Sequence, residues 1–321
     1  MATTSSSSGP GGSAPTPSQA GGVDGREAFQ QALGERERSK PQNELILQTV
    51  RELSAALVYP EPSNVETNRK LWDEYAKAWD TSEEWVRRMA ADVGGRELGC
   101  VGDEWSDEAS LTEALDDFLF PHLAALERGG EGCGAQVCEI GSGGGRVAAR
   151  VAGRVGSLTC FDVSMEMLRR AKEALVDRQG LSNVKFVHLT GAGPPDIPAR
   201  FNTSFDVVYS FDVFVHLDLH TIWQYFCAIH RMLQPGGLAF VSTANIIAPL
   251  GWERFQRQRK YSVGGFYFLS PDIARQLACK AGFEVVQESS SQGDTTNVYY
   301  LRDYLCVMRK CHGDARGPVV A

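Results

Sequence analysis

No run of apolar residues in this 321-residue chain approaches the ~20 needed to cross a bilayer as a helix, so no membrane-embedded segment is expected. Paired cysteines are missing as well. Cys100, Cys133, Cys138, Cys160, Cys227, Cys279, Cys306 and Cys311 are scattered, with no C-x-x-C and no histidine at zinc spacing. That pattern excludes a disulfide framework and a zinc site, assigns no metal ligands, and fits reduced thiols in an intracellular compartment. An excess of positive charge is lacking too. The formal net charge is −8 and the pI about 5.4, which disfavours a surface that gathers nucleic acid by counterion release. With 43% hydrophobic and 22% charged residues the chain is an ordinary globular one.

Apolar residues are nearly absent from the first 25 or so positions, which are Ser, Gly, Ala, Thr and Pro. Such a composition cannot bury enough surface to offset chain ordering, so residues 1–40 are expected to form a disordered tail. The tail has no apolar core of a secretory signal. Its Ser-rich, acid-poor start is compatible with an organelle transit peptide, while Asp24 and Glu27 around Arg26 weigh towards the cytosol.

Over residues 41–130 apolar positions recur at helical spacing: Leu45, Leu47, Val50, Leu53 and Leu57; Leu71, Tyr75 and Trp79; Leu111, Leu115, Phe118 and Leu123. This region reads as a helical cap. From residue 131 onwards short apolar runs alternate with helical stretches. The runs are Val137–Ile140, Leu158–Phe161, Val184–Leu189, Phe205–Ser210, Leu238–Thr243, Phe283–Gln287 and Tyr304–Met308. Alternation of this kind predicts an α/β fold with a mostly parallel, seven-stranded, Rossmann-like sheet covered on both faces. The last two runs leave no room for a crossover helix, so they are expected to pair antiparallel at the sheet edge.

The first run leads into Val137-Cys138-Glu139-Ile140-Gly141-Ser142-Gly143-Gly144-Gly145-Arg146. A glycine turn here sits at the carboxyl end of a strand, where open α/β sheets bind ligands. A dinucleotide fingerprint would need glycine where Arg146 stands, and Glu139 would repel a diphosphate. A cationic ligand end suits that carboxylate better.

The acid followed by G-x-G-x-G resembles motif I of class I S-adenosylmethionine-dependent methyltransferases. The resemblance extends to Asp162 at the end of the second strand, to the stretch from Phe205 to Leu217, and to the Leu233-Gln234-Pro235-Gly236-Gly237 turn, covering roughly residues 136–309. It implies S-adenosylmethionine as cofactor and a small-molecule methyl acceptor, with neither nucleic acid nor membrane as partner. Glu139, Gly141, Ser142, Gly143 and Gly145 would then hold the methionyl part and Asp162 the ribose hydroxyls. Val163, with Met165 or Met167 after it, would flank the adenine, and Ser210 would close the site from the fourth strand. Many relatives carry an acid after the third strand where this chain reads His188-Leu189-Thr190, so Thr190 is the substitute acceptor. A binding protein that keeps the fold without turnover, and a nicotinamide-dependent oxidoreductase, are the competing readings.

For the chemistry, His216 lies just past the fourth strand. It reads as a general base or substrate ligand, or equally as a neutral histidine hydrogen-bonded to its loop. Tyr209 and Asp212 are its neighbours in sequence, with strand packing and capping as their plainer roles. Asn245, Trp252 and Arg254 follow the fifth strand and are candidates for the acceptor pocket, as is Tyr261. Arg254 would suit a carboxylate, or would be part of a solvated face with Arg257, Arg259 and Lys260. Tyr75, Trp79 and Trp105 could close over the cofactor, although core packing accounts for such aromatics equally well.

Overall fold

The computed structural model describes residues 44, 47, 48 and 64–311, without 93–97, 127–133, 192–194, 260–263 and 293. The chain divides into two compact units, Met1–Glu61 and Pro62–Ala321, and every element named below belongs to the second. The expected tail, the positions Leu45, Val50, Leu53 and Leu57, and Tyr261 lie outside the described residues.

The strands are β1 Gln136–Ile140, β2 Ser157–Asp162, β3 Val184–His188, β4 Phe205–Ser210, β5 Leu233–Asn245, β6 Phe268–Leu269, β7 Phe283–Glu288 and β8 Asp303–Lys310. They form one sheet in the order β3-β2-β1-β4-β5-β8-β7, and β6 pairs with the end of β5. All pairs are parallel except those of β8, which is antiparallel to β5 and to β7. The expected antiparallel last strand is present. It lies inside the sheet between β5 and β7, so only β7 of the expected pair is at the edge. The eighth strand, β6, has two residues, too few to leave a periodic signal.

Period-two alternation assigns each strand residue to one of two cores. Cys138, Ile140, Phe161, Val208, Ala239 and Val241 pack on one face with Ile222, Phe226 and Ile229. The last three belong to the helix Leu219–Met232, capped by Asp218, whose carboxylate accepts from the Thr221 N–H at 3.0 Å. Val137, Leu158, Cys160, Val207, Tyr209 and Phe240 pack on the other face with Leu111, Leu115 and Phe118 of the helix Glu108–Phe118. Each fully buried side chain of this size contributes roughly 1.5–3 kcal/mol.

Strand order reverses at β1 and β4, which opens a crevice at their carboxyl ends. Two helices frame it. The helix α1, Asn64–Ala78, docks through Asp73, whose carboxylate accepts from the Ser164 hydroxyl at 2.6 Å and from the Glu166 N–H at 3.3 Å. The same Ser164 hydroxyl caps the helix Met165–Lys172, accepting from the Met167 N–H at 3.1 Å. On the far side the helix Pro249–Gln258 follows β5, and its Gly251 lies directly against β5. A Cβ there would sit 1.9 Å from the Asn245 carbonyl oxygen and 2.8 Å from that of Arg302.

Gly251→Ala therefore tests whether close approach outweighs propensity. Alanine in a helix interior gains about 1 kcal/mol over glycine, but overpacking against fixed backbone costs roughly 1–3 kcal/mol. A lower urea midpoint is expected, and a higher one would show that the helix tolerates displacement.

Candidate active site

The glycine turn is closed onto β2 by backbone bonds. The N–H groups of Gly141 and Ser142 donate to the Phe161 carbonyl at 2.7 and 3.1 Å, and that of Gly143 donates to the Asp162 carboxylate at 2.8 Å. Gly141 and Gly143 have φ of 73° and 53°, a region costly for residues with a Cβ. A Cβ at Gly141 would lie 2.5 Å from Val213, whereas at Gly143 nothing lies within 4 Å. Gly143 therefore presents bare backbone to open space in the cavity.

Two carboxyl groups end the strands beside this turn. Asp162 accepts from Gly143 and, at 2.7 Å, from the Ser164 N–H. Burial pushes its pKa up to about 6 even with those donors. Glu139 is 2% exposed, and burial pushes it up to about 8, countered in part by the Tyr209 hydroxyl and by Arg146. Tyr209 and Cys160 are its register partners on the neighbouring strands. Neither supplies a positive charge. The Cys160 thiol is 3.9 Å away, and the Tyr209 hydroxyl, although it faces Glu139, makes no hydrogen bond of ordinary geometry. Glu139 is thus a buried acid poised to ionise once a cation arrives.

Glu139, Gly141, Ser142, Gly143, Asp162, Val163, Met167, Asp212 and His216 line one cavity, so the structure brings these nine candidates together. Trp72 and Asn68 of α1 and Trp105 of the 3₁₀ turn Asp103–Trp105 complete its wall. Trp72 packs edge-on to the His216 ring at 5.5 Å and tilted to Trp105 at 6.0 Å. Asn68 joins two loops, donating to the His216 carbonyl and accepting from the Gly264 N–H, each at 3.2 Å.

His216 Nδ1 is 3.1 Å from the Gly265 carbonyl, which can only accept, so Nδ1 carries the proton and Nε2 the lone pair. Burial lowers its pKa, and nearby Asp212 offsets this only in part, so the ring is neutral near pH 7. Asp212 sits at φ 62°. Burial acts to raise its pKa, but Arg302 at 2.6 Å and Arg146 at 3.5 Å outweigh that and hold it below the usual range. Arg302 also binds Asp303 at 2.6 Å, and Arg146 donates to Ser106 and Tyr299.

Other candidates lie elsewhere. Tyr209 is fully buried in the core against Glu139, outside the cavity lining. Ser210 is buried too and donates to the Ile140 carbonyl at 2.9 Å. Thr190 gives its hydroxyl to Asp196 at 2.6 Å. Gly145 packs beneath the turn, where a Cβ would meet Leu175 at 3.0 Å. Met165 points to solvent. Tyr75 donates to the buried Glu104 at 2.5 Å and packs on Trp105, a layer behind the wall, while Trp79 is core beside Arg170. Asn245 caps its own turn, accepting from the Ile247 N–H at 3.0 Å, and Trp252 is half exposed, stacked on Phe255. Arg254 lines a second, neighbouring cavity. Sequence reasoning missed Asn68, Trp72, Arg302 and Asp303. The only signal for them was a strand-flanking Arg-Asp pair and a polar residue in an amphipathic helix, which are common features.

Residues 137–237 match a family model described as a methyltransferase domain. The chain is 26% identical over 223 residues to the ubiquinone biosynthesis O-methyltransferase of Thiobacillus denitrificans, covering 65% of this chain and 93% of that one. To the Neisseria meningitidis protein of the same name it is 26% identical over 145 residues, covering 45% and 59%. The chain thus spans only about half the length of several relatives that it matches. Among solved structures, the magnesium protoporphyrin IX methyltransferase of Synechocystis PCC 6803 with bound SAH shares the fold. The TM-score is 0.52 at 15% identity, covering 76% of this chain and 99% of that one.

Arg302→Met strands two buried carboxylates and is expected to lower stability by about 3 kcal/mol. Without the cation the folded-state pKa of Asp212 rises above its unfolded value. The deficit is then largest at neutral pH and shrinks as pH falls and the carboxyl takes up a proton. Urea titrations at two pH values measure this, and a deficit that grows on acidification would contradict the assignment.

Proposed function

The chain belongs to the class I S-adenosylmethionine-dependent methyltransferase family, and on that premise we propose that it moves the methyl group of S-adenosylmethionine to an oxygen, nitrogen or sulfur atom of a small-molecule acceptor. The observation that carries this reading is the pair of buried acids, Glu139 and Asp162, flanking the bare backbone of Gly143 in one cavity. A buried carboxyl with no cation of its own suits an ammonium group. A second carboxylate, held by two backbone donors, has lone pairs left for hydroxyl groups. Val163 and Met167 add apolar wall suited to a flat base. S-adenosylmethionine, when bound, supplies a methyl group made electrophilic by a sulfonium.

What remains for the chain is to orient, to keep water out and to receive a proton. Trp72, Trp105 and His216 form an aromatic wall on the acceptor side that excludes water and is favourable to a cation. An acceptor with a proton on its nucleophile must lose it as the new bond forms. His216 is the base for that proton, because its neutral Nε2 is the free lone pair on a ring fixed by Gly265 and Trp72. An acceptor such as a thioether needs no base, and positioning alone then carries the rate. A nicotinamide dinucleotide fits less well. Its diphosphate would face Glu139, and the cation of the turn, Arg146, is committed to Ser106, Tyr299 and Asp212.

Calorimetry with S-adenosylhomocysteine tests the reading. Wild-type protein is expected to bind it and to ignore NADH, and Asp162→Ala is expected to weaken binding about tenfold or more through loss of charge-assisted hydrogen bonds. NADH binding with no S-adenosylhomocysteine binding would overturn the cofactor, and binding without turnover on any acceptor would leave a binding protein.

The raised pKa of Glu139 gives a second test. The empty site holds a proton below pH about 8, and an ammonium that pairs with Glu139 expels it. Affinity for S-adenosylhomocysteine is therefore expected to climb from about pH 6 to about 7.5, with proton release seen as a buffer-dependent binding enthalpy. Glu139→Gln should abolish the release, and release that persists would place the proton elsewhere.

A further inference from the structure

The second cavity, lined among others by Arg254, Arg257, Arg302, Glu253, Gly264 and Gly265, has no lining residue in common with the first, but two of its residues bond to residues of the first cavity's wall. Its Gly265 carbonyl holds His216, and its Arg302 holds Asp212. Most of its charge is internally matched. Arg257 pairs with Glu253, and Arg302 is met by Asp212 and Asp303. Arg254 differs. Its guanidinium lies 3.8 Å over the Phe266 ring and has neither a hydrogen bond nor an ion pair to any described residue. The Arg302 guanidinium lies 5.0 Å from the same ring, so two like charges flank one aromatic side chain. Burial and that repulsion act in the same direction, lowering the Arg254 pKa. Three guanidiniums, those of Arg146, Arg254 and Arg302, stand near Asp212 and Asp303; Arg146 and Arg302 have ion pairs there, and Arg254 is the one without an ion pair among the described residues. Phe266 packs edge-on to the His216 ring at 5.4 Å, so this charge stands one aromatic ring away from the proposed base.

We infer that Arg254 anchors a carboxylate of the methyl acceptor, so that the substrate class is small organic acids that carry their nucleophile on the His216 side. This rests on the methyltransferase reading and deepens it. A single guanidinium without an ion pair, lying on an aromatic face, offers the parallel N–H pair that matches a carboxylate. Binding energy at Arg254, remote from the reacting atoms, would then orient the nucleophile.

The test uses full-length protein and labelled S-adenosylmethionine with a panel of hydroxy, amino and methylthio acids, each beside its neutral amide. Acids are expected to exceed their amides in kcat/KM by about tenfold or more, the worth of a charge-assisted hydrogen bond. Arg254→Gln should remove that preference mainly through KM, leave S-adenosylhomocysteine affinity unchanged, and be partly rescued by Arg254→Lys. Benzoate, but not benzamide, should inhibit the wild type competitively with the acceptor. Equal rates for acids and amides, an acid preference that survives Arg254→Gln, or inorganic phosphate inhibiting better than benzoate would overturn the inference. In those cases the methyltransferase reading stands so long as S-adenosylhomocysteine binds the wild type. Absence of that binding overturns both.

Discussion

The hydrogen bond from the Gly143 N–H to the Asp162 carboxylate is the contact on which the site depends. It fastens the turn after β1 to the end of β2, so that two strands with separate roles in the sheet present one continuous surface. The bond requires a residue at positive φ whose side-chain position is left to open space, which is why glycine stands there. It also requires a carboxylate in a buried place. Burial acts against that charge, and the Gly143 and Ser164 N–H groups offset the penalty only partly. Such a half-satisfied carboxylate costs stability, and a ligand that donates hydrogen bonds to it would offset that cost.

The other half of the site is assembled from remote parts of the chain. Helix α1, ahead of the sheet in sequence, reaches the start of the helix after β2 through Asp73 and the loop after β4 through Asn68. The last strand, inserted between β5 and β7, brings Asp303 and the adjoining Arg302 next to Asp212. Because β8 runs antiparallel, its beginning rather than its end lies at the same side of the sheet as the glycine turn, and this is how a C-terminal element comes to lie beside Asp212. Buried charges there hold one another, so removing any one partner leaves another stranded.

The parallel sheet, its reversal point, the glycine turn and the two acids were legible in the sequence because each rests on local pattern: short apolar runs, glycines after a strand, a carboxyl at a strand end. Ten of the proposed site residues, Trp105 among them, share one cavity. Tyr209 was placed by proximity in sequence to His216 and Ser210 by the family resemblance, but β4 is covered on both faces, so both side chains are buried. Thr190 was read as the substitute acceptor; its hydroxyl donates to Asp196, across a loop, and it is not among the residues that line the cavity. Met165 and Met167 differ by two positions on a helix, enough to exchange solvent for cavity. The Arg302 network and the role of Asn68 are long-range pairings, and no periodicity in a single chain announces them.

Hydrogen exchange on the full chain, with and without saturating S-adenosylhomocysteine, examines the central claim most directly. The account predicts that the added ligand slows exchange in the segments 139–146 and 160–164 together, because one molecule bridges the glycine turn and the end of β2. Unchanged exchange in both segments, or slowing confined to a region away from Asp162, would contradict it.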